Sequence, residues 1–285
     1  MEFIGISVDV FLITATLALA AFGLAIIYGL IGVINMGHGA MLTLGAYLTW
    51  FFISLNIQFL LCVLLSGIGV AIIGVLLEHF IVRKFYHRPF DTLLLTWAFF
   101  LITTEIIKII FGTDFRNIEA PIAGAFDVFG VNIPAYRFLV SLFAILLIIA
   151  STAVFLKTNL GIKIRALIQN KEVAGLMGLD INLTYKTVFG FGSFMAGIAG
   201  GLIAPMLSID PYIGNIYLVR SFFVVIVGGV GQLLSGTVVG SFLIGGTETL
   251  FAIFSDQVIS QAAVFLLAII LLRLKPSGVM NKKNV

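Results

Sequence analysis

Charged residues are scarce in this sequence. Only 10% of its 285 residues are Asp, Glu, Lys or Arg, whereas 61% are hydrophobic, and the mean hydropathy is +1.19 over the whole chain. From such a composition we expect no soluble domain, and it indicates a polytopic membrane protein. The formal net charge of +3 gives no reason to expect nucleic acid binding.

Cysteine pairs and common catalytic motifs are also missing. The single cysteine, Cys62, lies inside an apolar run, which excludes an internal disulfide and suggests neither redox chemistry nor a metal cluster. The sequence has no HExxH or GxSxG motif, and no GxxxxGK followed by Ser or Thr that would bind a nucleotide. We therefore expect no catalytic group, no metal and no cofactor in this chain.

Long apolar runs are abundant. A bilayer core of about 30 Å is crossed by roughly 20 helical residues, and the runs are continuous rather than alternating, which favours helices over a barrel. The sequence predicts an all-α polytopic membrane helix bundle with about 8–10 spans, broken or re-entrant helices included. We place the spans near 9–31, 40–55, 58–81, 93–112, 136–156, 186–206, 218–233, 237–254 and 258–273. The second and seventh are short and glycine-rich, as broken helices often are.

Basic residues indicate the orientation of these spans. They cluster after the third span, between the fifth and sixth, and in the C-terminal tail, and the positive-inside rule predicts that all three regions are cytoplasmic. The residues are Arg83, Lys84, Arg88, Lys157, Lys163, Arg165, Lys171, Lys186, Arg273, Lys275, Lys282 and Lys283. The loop 113–135 carries more acidic residues and is expected to face outward. The N-terminal segment has Glu2 and Asp9 but no basic region, so we expect an anchor that is retained.

The segment 157–185 is the longest predicted cytoplasmic stretch. Its pattern predicts an amphipathic helix with one apolar face, formed by Ile164, Leu167, Ile168, Val173, Leu176 and Met177. Within it, Glu172, Ala174 and Gly178 resemble the E-x-A-x-x-x-G core of coupling segments in permease subunits of ATP-driven importers. There, small residues let a short helix enter a cleft on the ATPase, and the glycine turns the chain away. With Arg165 they form the predicted coupling site; the alternative is a connector on the membrane surface.

Two glycine-bounded segments interrupt the apolar runs, GVINMGHG from Gly32 to Gly39 and GVGQLLSG from Gly229 to Gly236. Each carries an amide side chain at its fourth position, Asn35 and Gln232, and each leads into a run rich in small residues. Paired glycine-interrupted segments in two halves of a protein are a pointer to a transport site. We predict helix breaks at Gly37, Gly39, Gly229 and Gly231. Two tight turns with close packing are the alternative, and the depth of the first break is left open.

Three stretches resemble the permeases of the branched-chain amino acid and urea ABC importers of bacteria. They are GLIGVINMGHGAMLTLGAY, RALIQNKEVAGLMGLD and SFFVVIVGGVGQLLSGTVVGSFLIG, and the resemblance runs in order over nearly the whole chain. RPFDTLLLTWA and SFFVVIVGGVGQ favour the urea branch, whereas PYIGN and GGTETL are at least as similar to the amino acid branch. The resemblance implies a permease subunit without its own ATPase. Its partners would be a second related permease, cytoplasmic ATP-binding subunits and a periplasmic solute-binding protein.

A pathway for urea, or alternatively for a branched-chain amino acid, needs hydrogen-bonding groups without strong fixed charge. The candidates are Asn35, His38, Thr43, Tyr47, Thr96, Trp97, Ser193, Gln232 and Thr237, and packing between helices is the alternative for each. Glu248, which has no obvious partner in its span, is expected to face the bundle interior or a cavity. Glu105 and Lys108 are spaced to form an ion pair on one helix.

The whole chain, 1–285, is expected to form a single transmembrane permease domain in the bacterial cytoplasmic (inner) membrane, with a cytoplasmic C-terminus. Two other classes compete with this interpretation: a stand-alone solute channel and an intramembrane enzyme centred on His38. The large basic loop argues against a channel. The lack of a second catalytic group beside His38 argues against an enzyme.

Overall fold

The structure, a computed structural model, describes residues 2–128 and 131–280. In these residues the chain forms eleven α-helices, two 3-10 turns at Val82–Phe85 and Ala204–Met206, and one antiparallel hairpin. The helices are α1 (Glu2–Ile31), α2 (His38–Ser54), α3 (Phe59–Phe80), α4 (Pro89–Phe111), α5 (Ala135–Lys157), α6 (Asn159–Gln169), α7 (Lys171–Leu176), α8 (Ile181–Ile203), α9 (Ile213–Gly228), α10 (Leu233–Phe254) and α11 (Gln257–Leu274). The hairpin strands are β1 (Ala125–Val128) and β2 (Val131–Pro134).

Seven of the described helices are long and apolar enough to cross a membrane, namely α1, α3, α4, α5, α8, α10 and α11. Two more, α2 with 17 residues and α9 with 16 residues, are shorter. The expected all-α polytopic bundle is therefore confirmed, and α2 and α9 are the two spans that the sequence predicted to be short.

The two ends of the bundle are distinguished by the residues that lie there. Arg83 and Lys84 lie at one end, where the Arg83 guanidinium donates to the carbonyl of Asn182 at the start of α8. We call this the basic end. The hairpin β1–β2 lies at the opposite end, the hairpin end, where Gly5 of α1 lies against Val131. The last described residues return to the basic end, because the Val279 N–H donates to the Val227 carbonyl there (2.8 Å). Lys282 and Lys283 lie outside the described residues.

Helices α1 and α8 form the core of the bundle. A Cβ on Gly23 of α1 would overlap the Gly192 carbonyl of α8, and one on Gly45 of α2 would overlap the Gly197 carbonyl. Small residues at these positions let the helix backbones approach closely, which is how membrane helices gain packing energy without a hydrophobic driving force. The core therefore depends on glycine at the contact points rather than on large side chains.

Helix α2 begins inside the bundle. His38, its first residue, places Nε2 2.7 Å from the Ala20 carbonyl of α1. Ala20 lies eleven residues before the end of α1 at Ile31, about 16 Å along the helix axis at 1.5 Å per residue. The chain thus leaves α1 at the basic end and runs back into the bundle. The break at 32–37 therefore extends from the basic end inward, and α2 begins well inside the bundle.

Helix α9 also begins inside the bundle, facing α2. The Gly214 N–H donates to Thr43 Oγ1 (3.1 Å), and a Cβ on Gly39 would lie 2.8 Å from the Gly214 carbonyl oxygen. The segment before α9 is held at the hairpin end by a two-way backbone bridge between Arg116 and Ile209. The starts of the two short helices therefore meet inside the bundle.

The first span was expected at 9–31, but α1 begins at Glu2. Three other errors in the predicted boundaries have local causes. The seventh span was expected at 218–233, but α9 ends at Gly228 because Gly229 and Gly231 take φ values of 111° and 88°. Helix α10 then begins at Leu233 rather than at 237. Helix α8 begins at Ile181 rather than 186, where the Asp180 side chain accepts a hydrogen bond from the Leu183 N–H (2.9 Å).

Candidate functional site

A cavity of about 760 Å³ opens at the hairpin end. Helices α1, α5, α9 and α10 and the loop before α9 supply its walls, and Ala120 and Pro134 lie at its rim. Towards the bundle centre, Tyr217 borders both this cavity and a space of about 10 Å³ between α2, α8 and α9. That space holds at most about one water molecule, so the cavity ends at the point where α2 and α9 meet.

Charged side chains from four helices line this cavity. Arg220 of α9 and Glu248 of α10 form an ion pair of 2.5 Å, and Arg137 of α5 lies 3.8 Å from Asp9 of α1. The expectation that Glu248 stands alone is therefore wrong, because α9 places a guanidinium beside it. Glu248 does line a cavity, as the sequence predicted. The Glu105–Lys108 pair on α4 is confirmed at 2.6 Å.

Sequence reasoning missed Arg137 and Arg220. Arg220 lies within the predicted seventh span, and an arginine inside a membrane span commonly marks a functional site. Its partner could not be assigned because Glu248 belongs to a different helix, 28 positions further along the chain.

Three of the predicted pathway residues hold the break before α2. Asn35 is fully buried, and its side-chain oxygen accepts the Gly37 N–H (3.0 Å). The Met36 N–H donates to Thr96 Oγ1 on α4 (3.0 Å). His38 is also fully buried against the Ala20 carbonyl. Each group bonds to the backbone of the break or of α1, and none lines the large cavity.

Thr43 and Tyr47 lie further along α2, on its buried side. The Thr43 hydroxyl joins α2 to α9, because it donates to the Gly39 carbonyl and accepts from the Gly214 N–H (both 3.1 Å). The Tyr47 hydroxyl is buried without a hydrogen-bond partner in the part of the chain that the structure describes. Its ring packs 5.3 Å from that of Phe111.

Gln232 and Thr237 lie at the basic end, away from the other pathway candidates. Gln232 is exposed in the turn between α9 and α10, and the space beside it has no room for a water molecule. The two glycine-bounded segments therefore differ in geometry: the first re-enters the bundle, whereas the second is a tight turn. Gly37 has an ordinary φ of −73°, and its small size serves contact instead, since a Cβ would lie 2.8 Å from Phe99.

The predicted coupling segment forms two helices, α6 and α7, that break at Asn170. The Asn170 side chain caps α7 by accepting the Glu172 and Val173 N–H groups (3.1 and 3.0 Å). The six apolar residues consequently do not share one face, which corrects the predicted pattern. Ile164 and Leu167 are buried against the bundle, whereas Leu176 and Met177 are 88% and 80% exposed.

The four predicted coupling residues take different positions. The Arg165 guanidinium donates to the Phe155 carbonyl (2.7 Å) and so fastens α6 to the end of α5. Glu172 is exposed and Ala174 is buried. Gly178 has a φ of 83°, which favours glycine and turns the chain away after α7. The turn expected at this glycine is therefore present.

A buried polar cluster connects this region to α3. Tyr86 donates a hydrogen bond to the fully buried Glu78 (2.7 Å), and Arg83 lies 3.5 Å from the same carboxylate. The Tyr86 ring packs on that of Tyr185 of α8 (5.0 Å), and Lys171 of α7 lies over Tyr185 (5.4 Å). Burial and the hydrogen bond to Glu78 raise the pKa of Tyr86, so its hydroxyl remains a donor. Sequence reasoning did not find this cluster.

The sequence profile of one protein family matches residues 6–274, which is nearly the whole chain. That family is described as the permease component of the branched-chain amino acid transport system. The chain belongs to this permease family.

Members of the family with curated names match the chain over most of its length. The high-affinity branched-chain amino acid transport system permease protein LivH of Salmonella typhimurium is 24% identical over 95% of this chain and 93% of its own length. The corresponding protein BraD of Pseudomonas aeruginosa is also 24% identical, over the same shares. A probable LivH permease of Methanocaldococcus jannaschii is 27% identical over 82% of this chain and 76% of its own length. No solved structure matches the chain.

These comparisons change the expected solute of this permease. The family description and the names of these relatives refer to branched-chain amino acid transport, and none of them refers to urea. The preference for the urea branch is therefore unsupported, and the amino acid alternative fits the findings better.

Proposed function

We propose that the chain is the membrane-spanning permease subunit of an ATP-driven importer, and that the importer carries branched-chain amino acids. The match of one permease family over residues 6–274 is the observation that carries this proposal. The paired charges in the cavity support it as well, because an amino acid is zwitterionic whereas urea is neutral. The energy comes from partner subunits that bind ATP.

The tip of α7 is the proposed docking site for the ATP-binding subunit. Leu176 and Met177 expose most of their surface here, beside the half-exposed Val173. Apolar side chains so exposed at the water-facing end of a bundle are typical of a protein contact. The Asn170 cap at one end and the Gly178 turn at the other make α7 a short, defined projection.

The basic end is the proposed cytoplasmic side, in agreement with the positive-inside rule. The cavity at the hairpin end then faces the periplasm, where a solute-binding protein would deliver its amino acid. A second related permease would complete the pathway through the bilayer. We infer that these partners assemble in the bacterial cytoplasmic membrane, with the C-terminus inside.

A chain of contacts can carry movement of α7 into the bundle. Lys171 contacts Tyr185, Tyr185 contacts Tyr86, and Tyr86 donates to Glu78 on α3. When ATP binding draws the partner subunits together, a pull on α7 would shift the basic ends of α8 and α3. Such a shift would close the cavity at one side and open the pathway at the other.

Substitutions at the tip of α7 test the coupling. Leu176→Asp places a charge in the proposed apolar contact, and Glu172→Arg reverses a charge beside it. Uptake of labelled leucine and ATP hydrolysis stimulated by the solute-binding protein should both fall at least about tenfold, while expression in the membrane persists. The matched control, Leu176→Met, keeps an apolar side chain of similar volume and should retain most of the activity. Unchanged uptake in both charged variants would refute the coupling role.

A stand-alone channel and an intramembrane enzyme, the two alternatives to an importer, predict different results. A stand-alone channel would conduct solute after ATP depletion and without ATP-binding partners, whereas an importer would stop. An enzyme centred on His38 would turn over a substrate as a purified protein and lose that activity in His38→Ala. The His38 ring faces the Ala20 carbonyl in a fully buried position, which favours a structural role.

A further inference from the structure

The four charged side chains that line the cavity, two arginines and two carboxylates, have a net charge of zero. Arg220 and Glu248 are 22% and 14% exposed, and Arg137 and Asp9 are 31% and 57% exposed, so the inner pair is the more desolvated. Removing charges from water costs free energy that an ion pair offsets only in part. Within a membrane bundle, such residues commonly mark the path of a solute.

The arginines retain hydrogen-bonding capacity beyond their ion pairs. Arg137 Nε is buried and has no hydrogen-bond partner among residues 2–128 and 131–280. A guanidinium has five N–H donors, and the contact with Asp9 at 3.8 Å is too long for a strong hydrogen bond. Arginine binds carboxylates through two parallel hydrogen bonds. The cavity thus offers strong donors for an anionic group.

Apolar side chains complete the walls of the same cavity. Ile13 and Leu17 of α1, Met206 of the loop before α9, and Ile253 of α10 line it together with the charged residues. A volume of about 760 Å³ falls within the usual size of small-molecule sites. A ligand with a charged head and an aliphatic tail would satisfy both kinds of surface.

We propose that this cavity binds a free aliphatic α-amino acid through its zwitterionic head group. The α-carboxylate lies between the guanidinium groups of Arg137 and Arg220, and the α-ammonium lies on the Glu248 carboxylate. The aliphatic side chain packs on Ile13 and Leu17. The ligand thereby replaces the direct Arg220–Glu248 contact with two pairs of its own, so the empty and loaded states both keep these charges paired. The assignment rests on the proposed function and adds the recognition residues.

The test uses the complete importer in proteoliposomes, with binding protein loaded with labelled leucine. Two quantities are measured for each variant: leucine uptake, and ATP hydrolysis stimulated by the loaded binding protein. Glu248→Gln removes the partner of the ammonium, and Arg220→Lys keeps the charge but removes the forked donor. Both should lower uptake at least about tenfold, the loss expected for one charged hydrogen bond, while stimulated ATP hydrolysis stays within about twofold of the wild type.

The control variant is Glu105→Gln, which breaks an ion pair of similar length on α4 that does not line the cavity. It should leave uptake unchanged. Wild-type uptake in Glu248→Gln and Arg220→Lys would overturn the site. A parallel loss of uptake and ATP hydrolysis would also overturn it, because that result indicates a structural pair. If the wild-type importer carries no leucine at all, the proposed function fails first, and the two failures are thus distinguished.

Discussion

Single glycines determine how closely the core helices approach one another. Gly45 and Gly197 meet where α2 crosses α8, and Gly23 and Gly192 meet where α1 crosses α8. These glycines lie within helices and are required by the space between backbones rather than by their φ values. At these glycines the helix backbones touch directly, and many weak dispersion contacts between them stabilise the packing.

Gly45→Ala should destabilise the protein, because its Cβ would overlap the Gly197 carbonyl oxygen. Overpacking of this kind typically costs about 1–3 kcal/mol. Gly246→Ala on α10 is the matched control, since its nearest neighbour would lie 3.6 Å away, at ordinary contact distance. The stability of both variants is measured as the midpoint of thermal unfolding of the detergent-purified protein. Equal midpoints for the two variants would contradict the packing role of Gly45.

Tyr86→Phe should also destabilise the basic end. The change removes the hydrogen bond to the fully buried Glu78 carboxylate, at a cost of about 1.5–3 kcal/mol. Tyr185→Phe keeps the ring contacts of the neighbouring tyrosine and serves as the control. Unfolding by denaturant compares the two variants, and a loss in Tyr185→Phe as large as that in Tyr86→Phe would contradict the role assigned to the Tyr86–Glu78 hydrogen bond.

At the scale of helices, hydropathy predicted most of the architecture. Seven long spans and two short ones follow from runs of apolar residues, since the bilayer itself fixes their length. The Glu105–Lys108 pair was predictable because both residues lie on one helix face. The Arg220–Glu248 pair was not, because it depends on how α9 and α10 pack. The reversal of the chain into the bundle after Ile31 likewise depends on tertiary contacts.

The anchoring of the break before α2 gives a prediction for Thr96. Thr96→Val removes the acceptor of the partly buried Met36 N–H (3.0 Å) and should cost about 1–3 kcal/mol of stability. Thr104→Val on the same helix removes only a bond to the Phe100 carbonyl within α4 and should cost less. Thermal unfolding ranks the two variants. If Thr96→Val keeps wild-type stability but loses leucine uptake, Thr96 serves the pathway and not the anchor.

At the scale of the whole molecule, the basic and hairpin ends give a prediction of orientation. Cys62 is fully buried, so single exposed cysteines can be introduced with little background labelling. Lys163→Cys on α6 should react with a membrane-impermeant thiol reagent only after the cytoplasmic side is opened. Thr113→Cys, beyond α4, should react in intact spheroplasts. The opposite pattern would reverse the proposed orientation and remove the cytoplasmic assignment of α7.

The central claim is that this permease serves an ATP-driven importer of branched-chain amino acids. The most direct measurement compares uptake of labelled leucine and labelled urea in cells that lack the permease and in the same cells with it restored, before and after ATP depletion. We predict that restoration increases leucine uptake alone and that ATP depletion abolishes the increase. Restored urea uptake without a change in leucine uptake, or leucine uptake that persists without ATP, would contradict the claim.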